Sequence, residues 1–241
     1  MTMCETCGCG VTTDKNPLAV EVLHNLTAAN DAEAAHNREH LSRQGTLCLN
    51  LMSSPGAGKT ALLQQLIARL QPQFKVAVIE GDLETENDAE RIRDAGALAY
   101  QINTGTACHL DAKQVHHAMH HLPLDAIDIL FIENVGNLVC PASFDLGQHK
   151  NLVLLACTEG DDKPAKYPVM FRAADEVLIS KVDLLPVLDD FDLQRACNYL
   201  KQLANPVTCL PISAKTGAGL DSLVETLNQW LADIRESKAS A

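Results

Sequence analysis

The sequence predicts an α/β domain whose mostly parallel sheet is covered by helices on both faces. Short apolar segments typical of buried strands alternate along the chain with longer amphipathic segments typical of helices. The chain has 241 residues, enough for one large domain with an appendage, and 46% of them are apolar and can form a core. Because aromatic residues make up only 4% of the chain, we expect an aliphatic core.

The order of these segments predicts where each element lies. Strands are expected over residues 46–53, 75–80, 97–102, 126–133, 151–157, 176–180 and 207–210. Helices are expected over residues 18–44, 61–72, 85–95, 111–121, 190–203 and 220–234. The chain is thereby divided into a flexible cysteine-rich metal-binding tail and linker, an N-terminal helical segment, the globular domain and a frayed end, over residues 1–17, 18–45, 46–236 and 237–241.

Charge and apolar patterning argue against two classes of partner. The formal net charge of −12 argues against nucleic acid, because phosphate contacts need a basic surface. No apolar run approaches the length of a membrane span, and the start of the chain lacks a basic-then-apolar signal pattern. We therefore expect a cytoplasmic protein that binds neither nucleic acid nor membrane.

The nine cysteines are clustered rather than spread as a disulfide framework. In a reducing compartment this clustering favours metal binding over cross-linking. Four cysteines lie inside apolar runs, where we expect them to pack as small apolar residues. These four are Cys48, Cys157, Cys197 and Cys209.

The strand over residues 46–53 leads through a glycine-containing turn into Gly58-Lys59-Thr60 and a helical run, the pattern of a phosphate-binding loop. Glycines let the backbone approach an anion, and the helix N-terminus adds unpaired N–H groups. We expect Lys59 to reach the terminal phosphates and Thr60 to bind Mg²⁺. Ser53 departs from the full pattern, which has glycine there, and an ordinary turn with a surface lysine is the alternative. Nucleotide contacts are predicted for Ser54, Pro55, Gly56, Ala57, Gly58, Lys59, Thr60 and Ala61.

Two later segments predict which base the nucleotide carries. Ser180-Lys181-Val182-Asp183 ends a strand and resembles the guanine-reading tetrad of GTP-binding proteins, which normally begins with Asn. A carboxylate can accept two hydrogen bonds from adjacent N–H groups of guanine, and adenine has no such donor pair. Ser213-Ala214-Lys215 follows a later strand, as the last guanine-contacting loop of that superfamily does. Surface turns are the alternative for both segments, but we predict guanine contacts for Lys181, Asp183, Ser213, Ala214 and Lys215.

Two acidic residues at strand ends are candidates for holding Mg²⁺. Asp82 follows the second strand and Glu133 ends the fourth, and both carboxylates can bind the ion directly or through water. Gly136 can offer an amide to the γ-phosphate. For Glu133 the alternative is a carboxylate that caps a turn. Catalytic roles are predicted for Lys59, Thr60, Asp82 and Glu133, with Thr60 and Asp82 as metal ligands.

Cys108, His109 and Cys140 form the first candidate site for a transition metal. The two segments that carry them each lie beyond the end of a parallel strand, and those ends share one edge of the sheet. Two thiolates and an imidazole suit a borderline divalent ion such as Zn²⁺ or Ni²⁺. The fourth ligand could be water or a group from a second subunit, and a buried apolar role is the alternative for Cys140.

Three thiols at Cys4, Cys7 and Cys9 form a second candidate metal site, since they lie close together in a segment with few apolar side chains to bury. A helix further along carries four histidines in two pairs at a spacing of four residues. Such pairs can bind metal weakly, but we interpret them as a solvated face. They are His116, His117, His120 and His121.

These segments together resemble the HypB family, the GTPases that help insert nickel into [NiFe]-hydrogenases. The resemblance covers nearly the whole chain and lies in residues 4–9, 51–60, 80–85, 108–111, 133–141 and 159–163. It implies a P-loop NTPase fold of the SIMIBI class and a homodimer promoted by GTP and metal. It also implies metal at the dimer interface through Cys108, His109 and Cys140, and a tighter nickel site at Cys4, Cys7 and Cys9.

The resemblance further implies the reaction and the partners. We expect a GTPase with a low intrinsic rate that cycles between GTP and GDP, requires Mg²⁺ and binds Ni²⁺ or Zn²⁺. Its expected partners are a HypA-type nickel protein and the precursor of the hydrogenase large subunit. Two alternatives remain: the related urease-maturation GTPase, and a non-catalytic nickel or zinc buffer with a vestigial nucleotide site.

Overall fold

The computed structural model describes residues 17–82, 87–105, 107–203 and 207–239, apart from the side chains of residues 17–26 and of Asp82. Strands and helices alternate along these ranges. The strands are β1 (Leu47–Ser53), β2 (Val76–Asp82), β3 (Leu98–Asn103), β4 (Ile129–Glu133), β5 (Lys150–Ala156), β6 (Glu176–Ser180) and β7 (Cys209–Pro211). The helices are α1 (Pro17–Gln44), α2 (Lys59–Leu70), α3 (Asn87–Asp94), α4 (Ala112–Met119), α5 (Lys163–Lys166), α6 (Pro168–Arg172), α7 (Leu193–Gln202) and α8 (Leu220–Ala239).

The strands form one seven-stranded sheet in the order β3-β2-β4-β1-β5-β6-β7. Every neighbouring pair is parallel, as the alternation of strands and helices predicted. Because β1 lies between β4 and β5, the turn after β1 is close to the loops that leave the neighbouring strands. This edge of the sheet carries the candidate nucleotide site.

Helices cover both faces of the sheet, which confirms the predicted layering. Along β1, Leu47, Leu49 and Leu51 pack with the apolar sides of α2 and α8. Cys48 alternates to the opposite face, where it packs with residues of α1 and α4. The interior consists largely of leucine, isoleucine, valine and alanine, and this confirms the expected aliphatic core.

Helix α1 is attached to the rest of the domain through buried polar contacts. Asn37 is fully buried, and its Nδ2 donates to the carbonyl oxygens of Ala112 at 2.8 Å and Leu146 at 3.1 Å. At the next residue, the Arg38 guanidinium contacts both carboxylate oxygens of Asp145 at 2.6 Å. These contacts fix α1 against α4 and the segment before β5, because a buried amide without partners would destabilise the fold.

Three sequence-based expectations need correction. Cys197 and Cys209 form a disulfide between α7 and β7, with a Cα–Cα distance of 6.0 Å, instead of packing as separate apolar residues. Residues 237–239 continue α8 instead of fraying, and Lys238 Nζ donates to the Gln44 carbonyl at 3.1 Å. Strand β4 begins at Ile129, later than expected, because Leu124–Ala126 form a 3-10 helix. Among the described helices, none combines the length and apolar character that crossing a membrane requires.

Candidate nucleotide and metal sites

The turn at residues 54–58 connects β1 to α2. Both of its glycines are left-handed, with φ of 75° at Gly56 and 99° at Gly58. A Cβ at either position would meet nothing within 4 Å, so the backbone conformation rather than lack of space requires glycine. The N-terminus of α2 opens onto this turn, where unpaired N–H groups and the positive end of the helix dipole suit a phosphate.

At the start of α2, Lys59 and Thr60 lie beside the carboxylate of Glu133 at the end of β4. Thr60 Oγ1 donates to Glu133 Oε1 at 2.9 Å, and Lys59 Nζ lies 3.9 Å from the same oxygen. Lys59 Nζ also donates to Ser53 Oγ at 3.3 Å. Ser54 Oγ and Glu133 Oε2 are buried and have no hydrogen-bond partner within the described chain. Because buried polar atoms without partners are costly, this site suits a polar ligand and a hydrated cation.

A second carboxyl group, Glu80, lies next to Glu133 in the adjacent strand. The two residues are register partners in the β2–β4 pair, and both are buried. Burial, followed by the proximity and hydrogen bonding of Glu133, raises the pKa of Glu80 well above its usual range. Burial likewise raises the pKa of Glu133, although Lys59 opposes this effect. The pair can therefore hold a proton at neutral pH until a cation binds beside it.

The end of β6 contacts the phosphate turn directly. Ser180 Oγ donates to the Ala57 carbonyl at 2.8 Å, and Lys181 Nζ donates to the Gly56 carbonyl at 2.8 Å. Lys181 is left-handed, with φ of 62°, the only non-glycine residue with positive φ in the described ranges. Cys157 Sγ donates to the Lys181 carbonyl at 3.0 Å. The strained backbone at Lys181 therefore directs its side chain to the phosphate turn.

Asp183 and Ser213 follow β6 and β7, and with the phosphate turn and Lys181 they form the group of residues that we call the nucleotide recess. Ser213 Oγ is buried and donates to Asp183 Oδ1 at 2.6 Å, which orients the carboxylate. The Thr216 amide donates to Ser213 Oγ at 3.2 Å, so the loop after β7 is fixed in turn. Ala214 and Lys215 lie in this loop, and Lys215 is exposed. The structure thus brings both predicted base-reading segments together.

Cys108, His109 and Cys140 also converge, although about thirty residues separate the two segments. One ligand atom from each of the three residues lies within 4.8 Å of the other two. Cys108 Sγ is 3.4 Å from His109 Nδ1, and the His109 ring stacks on Phe144 with centroids 3.8 Å apart. A hydrogen bond with Cys140 raises the pKa of Cys108, and burial lowers the pKa of His109. Two sulfurs and a neutral imidazole suit a borderline metal ion.

The segment from Glu133 to Cys140 connects the two sites. Gly136 packs so closely on the phosphate turn that a Cβ there would lie 2.9 Å from Pro55 Cα. Asn137 Nδ2 donates to the Cys108 carbonyl at 3.2 Å, which joins the segment to the other half of the thiol site. One segment therefore touches the Thr60 hydroxyl, the phosphate turn and both parts of the thiol site.

Residues 47–209 match the family profile described as CobW/HypB/UreG, nucleotide-binding domain. The chain is 51% identical over 204 residues to the "Hydrogenase maturation factor HypB" of Rhizobium leguminosarum bv. viciae, covering 84% of this chain and 68% of that protein. This chain belongs to the HypB family. A HypB relative from Escherichia coli (strain K12) is 48% identical over 212 residues, covering 88% of this chain and 70% of that protein.

A solved HypB structure has the same fold. The crystal structure of HypB from Helicobacter pylori in complex with nickel matches with a TM-score of 0.80 and 42% sequence identity. The match covers 87% of this chain and 97% of that chain. The predicted family and the P-loop NTPase fold are therefore confirmed.

Two parts of the predicted HypB site lie outside what the structure describes. The backbone of Asp82 ends β2, but its side chain is among those not described. Cys4, Cys7 and Cys9 precede the described residues. The predicted magnesium role of Asp82 and the tight nickel site at the N-terminus therefore stay predictions.

Sequence reasoning missed three contributors to this HypB site. In the sequence, Glu80 ends a strand and begins the HypB-like segment 80–85 without a predicted site role, yet its register on β4 brings it to Glu133. Ser53 was treated only as a departure from the glycine pattern, yet its hydroxyl contacts Lys59. Asn137, beside the thiol site, was not singled out. A carboxylate at the end of an apolar strand could have indicated a site role for Glu80. Nothing in the sequence around Asn137 indicates such a role, because it depends on tertiary contacts.

The Glu80–Glu133 pair predicts how stability changes with pH. The folded pKa of both carboxyl groups is raised above the unfolded value of about 4.3, so the folded chain binds more protons between the two values. Their contribution to the free energy of unfolding is present below pH ~4 and lost as pH rises through the folded pKa. In metal-free, nucleotide-free protein, Glu80→Gln should therefore be increasingly stabilising relative to wild type as pH rises from about 6 to 8.5.

Urea unfolding of wild type and Glu80→Gln at several pH values measures this difference. Glu90→Gln on α3 is the matched control, because Glu90 is exposed and should change stability little at any pH. A stability difference between Glu80→Gln and wild type that does not vary with pH would contradict the inferred proton sharing.

The close approach of Gly136 to Pro55 predicts a large effect of adding one methyl group. In Gly136→Ala the new Cβ must displace the phosphate turn, and overpacking of this kind costs about 1–3 kcal/mol. We expect nucleotide affinity to fall about tenfold. Binding of a fluorescent GDP analogue measures the effect. Gly105→Ala is a control for adding a methyl group outside the site, since a Cβ there has open space although its positive φ adds strain.

Proposed function

We propose that this protein is a GTP-hydrolysing metallochaperone that binds nickel and assists its insertion into [NiFe]-hydrogenase during maturation. Nickel is the ion that the protein delivers, and hydrolysis of Mg²⁺-bound GTP drives the delivery. The names of the HypB relatives and the nickel-bound HypB structure from Helicobacter pylori support a role in hydrogenase maturation. The nucleotide recess and the thiol site support the chemistry.

Each residue of the nucleotide recess has a proposed task. Lys59 neutralises charge on the terminal phosphates, while Thr60, Asp82 and Glu133 hold Mg²⁺ directly or through water. The amides of residues 54–61 and of Gly136 contact phosphate oxygens. Asp183 accepts from guanine, Lys181 covers the base plane, and the loop at residues 213–215 closes the pocket. The unpartnered Ser54 Oγ and Glu133 Oε2 support this assignment, because such ligands would satisfy them.

One observation carries the proposal: the segment from Glu133 to Cys140 belongs to both sites. A change at the γ-phosphate that moves Gly136 must also move Asn137 and Cys140, because the same short segment carries all three. Nucleotide state should therefore change metal affinity at Cys108, His109 and Cys140. By linkage, metal must change nucleotide affinity by the same factor.

The test uses the full chain with Cys4→Ser, Cys7→Ser and Cys9→Ser, so that the N-terminal thiols do not contribute. Ni²⁺ or Zn²⁺ is titrated once with GDP and once with a non-hydrolysable GTP analogue, each with Mg²⁺. We expect affinities that differ about 5-fold or more between the two states, the usual range of such coupling. Cys140→Ser should abolish the difference, whereas Cys48→Ser at a buried position away from the site should preserve it. Equal affinities in the two states would exclude the coupling.

We also propose that GTP and metal promote a homodimer, since the three grouped ligands Cys108, His109 and Cys140 leave room for one from a second subunit. Cys4, Cys7 and Cys9 are proposed as a separate, tighter nickel site, supported by three thiols close together in the sequence. The proposed partners are a HypA-type nickel protein and the hydrogenase large-subunit precursor. Light scattering with each nucleotide and metal tests the dimer.

A further inference from the structure

The surface between α1 and α4 carries four histidines that neither the nucleotide recess nor the thiol site uses. His36 and His40 lie one turn apart on α1, and His116 and His120 lie one turn apart at α4 and its C-terminal end. The four imidazoles line one shallow recess together with Arg43 and Gln44. The sequence suggested a solvated face for the α4 histidines, but pairing with the α1 histidines depends on how the two helices pack.

Buried contacts determine which nitrogen of His116 carries its hydrogen. Asn37 Nδ2 donates to two backbone carbonyls, so Asn37 Oδ1 is the atom that faces His116 Nδ1 at 2.9 Å. Glu33 Oε1 also lies 3.3 Å from this nitrogen. An amide oxygen and a carboxylate can only accept, so Nδ1 must be the donor, and the lone pair of neutral His116 is on Nε2. Outer partners of this kind orient metal-binding histidines in proteins.

The lone pair of His116 is directed at a second imidazole. His116 Nε2 and His120 Nε2 are 3.0 Å apart. Two nitrogens bound to one tetrahedral zinc ion, each about 2.0–2.1 Å from it, lie roughly 3.3 Å apart. The two side chains therefore already stand near the separation that a shared ion requires.

The α1 histidines approach this pair from the other helix. The ring centroids of His36 and His116 are 5.1 Å apart, and ligand atoms of His36, His116 and Glu33 lie within 4.8 Å of one another. Burial, then the charge of Arg43 and the neighbouring imidazoles, lowers the pKa of His40, which favours its neutral ring. Neutral imidazole is the form that binds a metal ion. The side chains of His36 and His120 are exposed and can turn towards an ion.

We propose that His36, His40, His116 and His120 bind one divalent transition-metal ion between α1 and α4. The all-imidazole ligand set suits Zn²⁺, Ni²⁺ or Co²⁺. Asn37 and Glu33 act as outer partners that hold His116 in the required orientation. The bound ion links the two helices and so stabilises the attachment of α1. Within the described chain, the hydrogen bonds of the His116 and His120 rings go to Asn37 and to each other and not to the phosphate turn, so we expect the same metal affinity in both nucleotide states.

The helix provides a matched control on its neighbouring face. His117 and His121 have the same spacing, with their Nε2 atoms 3.3 Å apart, but His121 stacks on Tyr100 with ring centroids 4.8 Å apart. In the described part of the chain, the recess that His117 lines contains no other histidine. The control pair therefore removes two histidines from α4 and its end without touching the proposed site.

The experiment uses the full chain with Cys4, Cys7, Cys9, Cys108 and Cys140 all changed to serine. Co²⁺ is titrated as the probe, because its visible absorption reports the ligand geometry, and Zn²⁺ is then used to displace it. We expect one equivalent per chain, equal affinity with GDP and with a non-hydrolysable GTP analogue, and a melting temperature raised by Zn²⁺. Loss of even an outer partner of a metal ligand costs about 10–100-fold in metal affinity. The variant His36→Ala/His120→Ala, which loses two ligands, should therefore bind Co²⁺ at least about 100-fold more weakly.

The control variant His117→Ala/His121→Ala should keep both the affinity for Co²⁺ and the rise in melting temperature with Zn²⁺. Both variants change exposed side chains, and circular dichroism without metal checks that each is folded. Failure of the chain with these five cysteines replaced to bind Co²⁺, or equal loss of Co²⁺ affinity in the two double variants, would overturn the proposal. Neither result bears on the nucleotide coupling at Cys108, His109 and Cys140, because that test uses chains with intact thiols there.

Discussion

Replacing Lys59 by alanine is expected to reduce GTP turnover to the rate seen without protein. Lys59 is the cation at the start of α2, buried beside Glu133 and directly after the glycine turn. Loss of one preorganised charge contact to a reacting group typically costs about 100-fold or more in rate. Turnover is measured as phosphate released from GTP with Mg²⁺, under saturating nucleotide so that weakened binding does not account for the loss.

The matched control for this change is Lys201→Ala. Lys201 is exposed on α7, and its removal should leave turnover near wild type. Because removing Lys59 leaves Glu133 buried without its cation, circular dichroism must confirm that Lys59→Ala is folded. Substantial residual turnover in a folded Lys59→Ala protein would exclude the proposed role. Absence of turnover in wild type would instead favour a metal buffer with a vestigial nucleotide site.

The change Asp183→Asn is expected to shift nucleotide preference from GTP to xanthosine triphosphate. Guanine offers two adjacent N–H donors to a carboxylate, whereas xanthine presents a carbonyl where guanine has its amino group. An asparagine amide can accept from the ring N–H of xanthine and donate to that carbonyl. For GTP, the asparagine oxygen can still accept from the ring N–H, but its NH2 group faces the guanine amino group, so one charge-assisted hydrogen bond of about 1.5–3 kcal/mol is lost and GTP affinity should fall at least about 10-fold.

Competition between GTP, ATP and xanthosine triphosphate for a fluorescent GDP analogue measures this preference. Asp189→Asn is the control, since Asp189 is exposed after the same turn and should leave the preference for GTP intact. Recovery of binding by xanthosine triphosphate separates a specific change of recognition from general damage. If ATP competes as well as GTP for the wild type, the guanine assignment is wrong. Ser213→Ala removes the donor that orients Asp183, so it should also lower the affinity for GTP, but by less than Asp183→Asn.

The sequence was sufficient for the order of elements and for the local chemistry. Period-two and period-3.6 apolar patterns are properties of neighbouring residues, so each strand and each longer helix could be predicted to within a few positions. The glycine turn before Lys59 was readable for the same reason, because its φ values depend on residues 56 and 58 themselves. The sequence also predicted that Cys108 and Cys140 lie close together, since parallel strands bring their carboxyl ends to one edge of the sheet.

Only the tertiary structure decided the features that depend on register and on helix packing. Glu80 faces Glu133 because of the β2–β4 register, and the raised pKa values follow from their shared burial. Cys197 and Cys209 form a disulfide because α7 packs beside β7, which no pattern within either segment indicates. The four-histidine recess likewise depends on the packing of α1 along α4, where Asn37 donates to the Ala112 carbonyl. Side-chain chemistry is local, whereas the distances that turn it into a site arise between elements far apart in the chain.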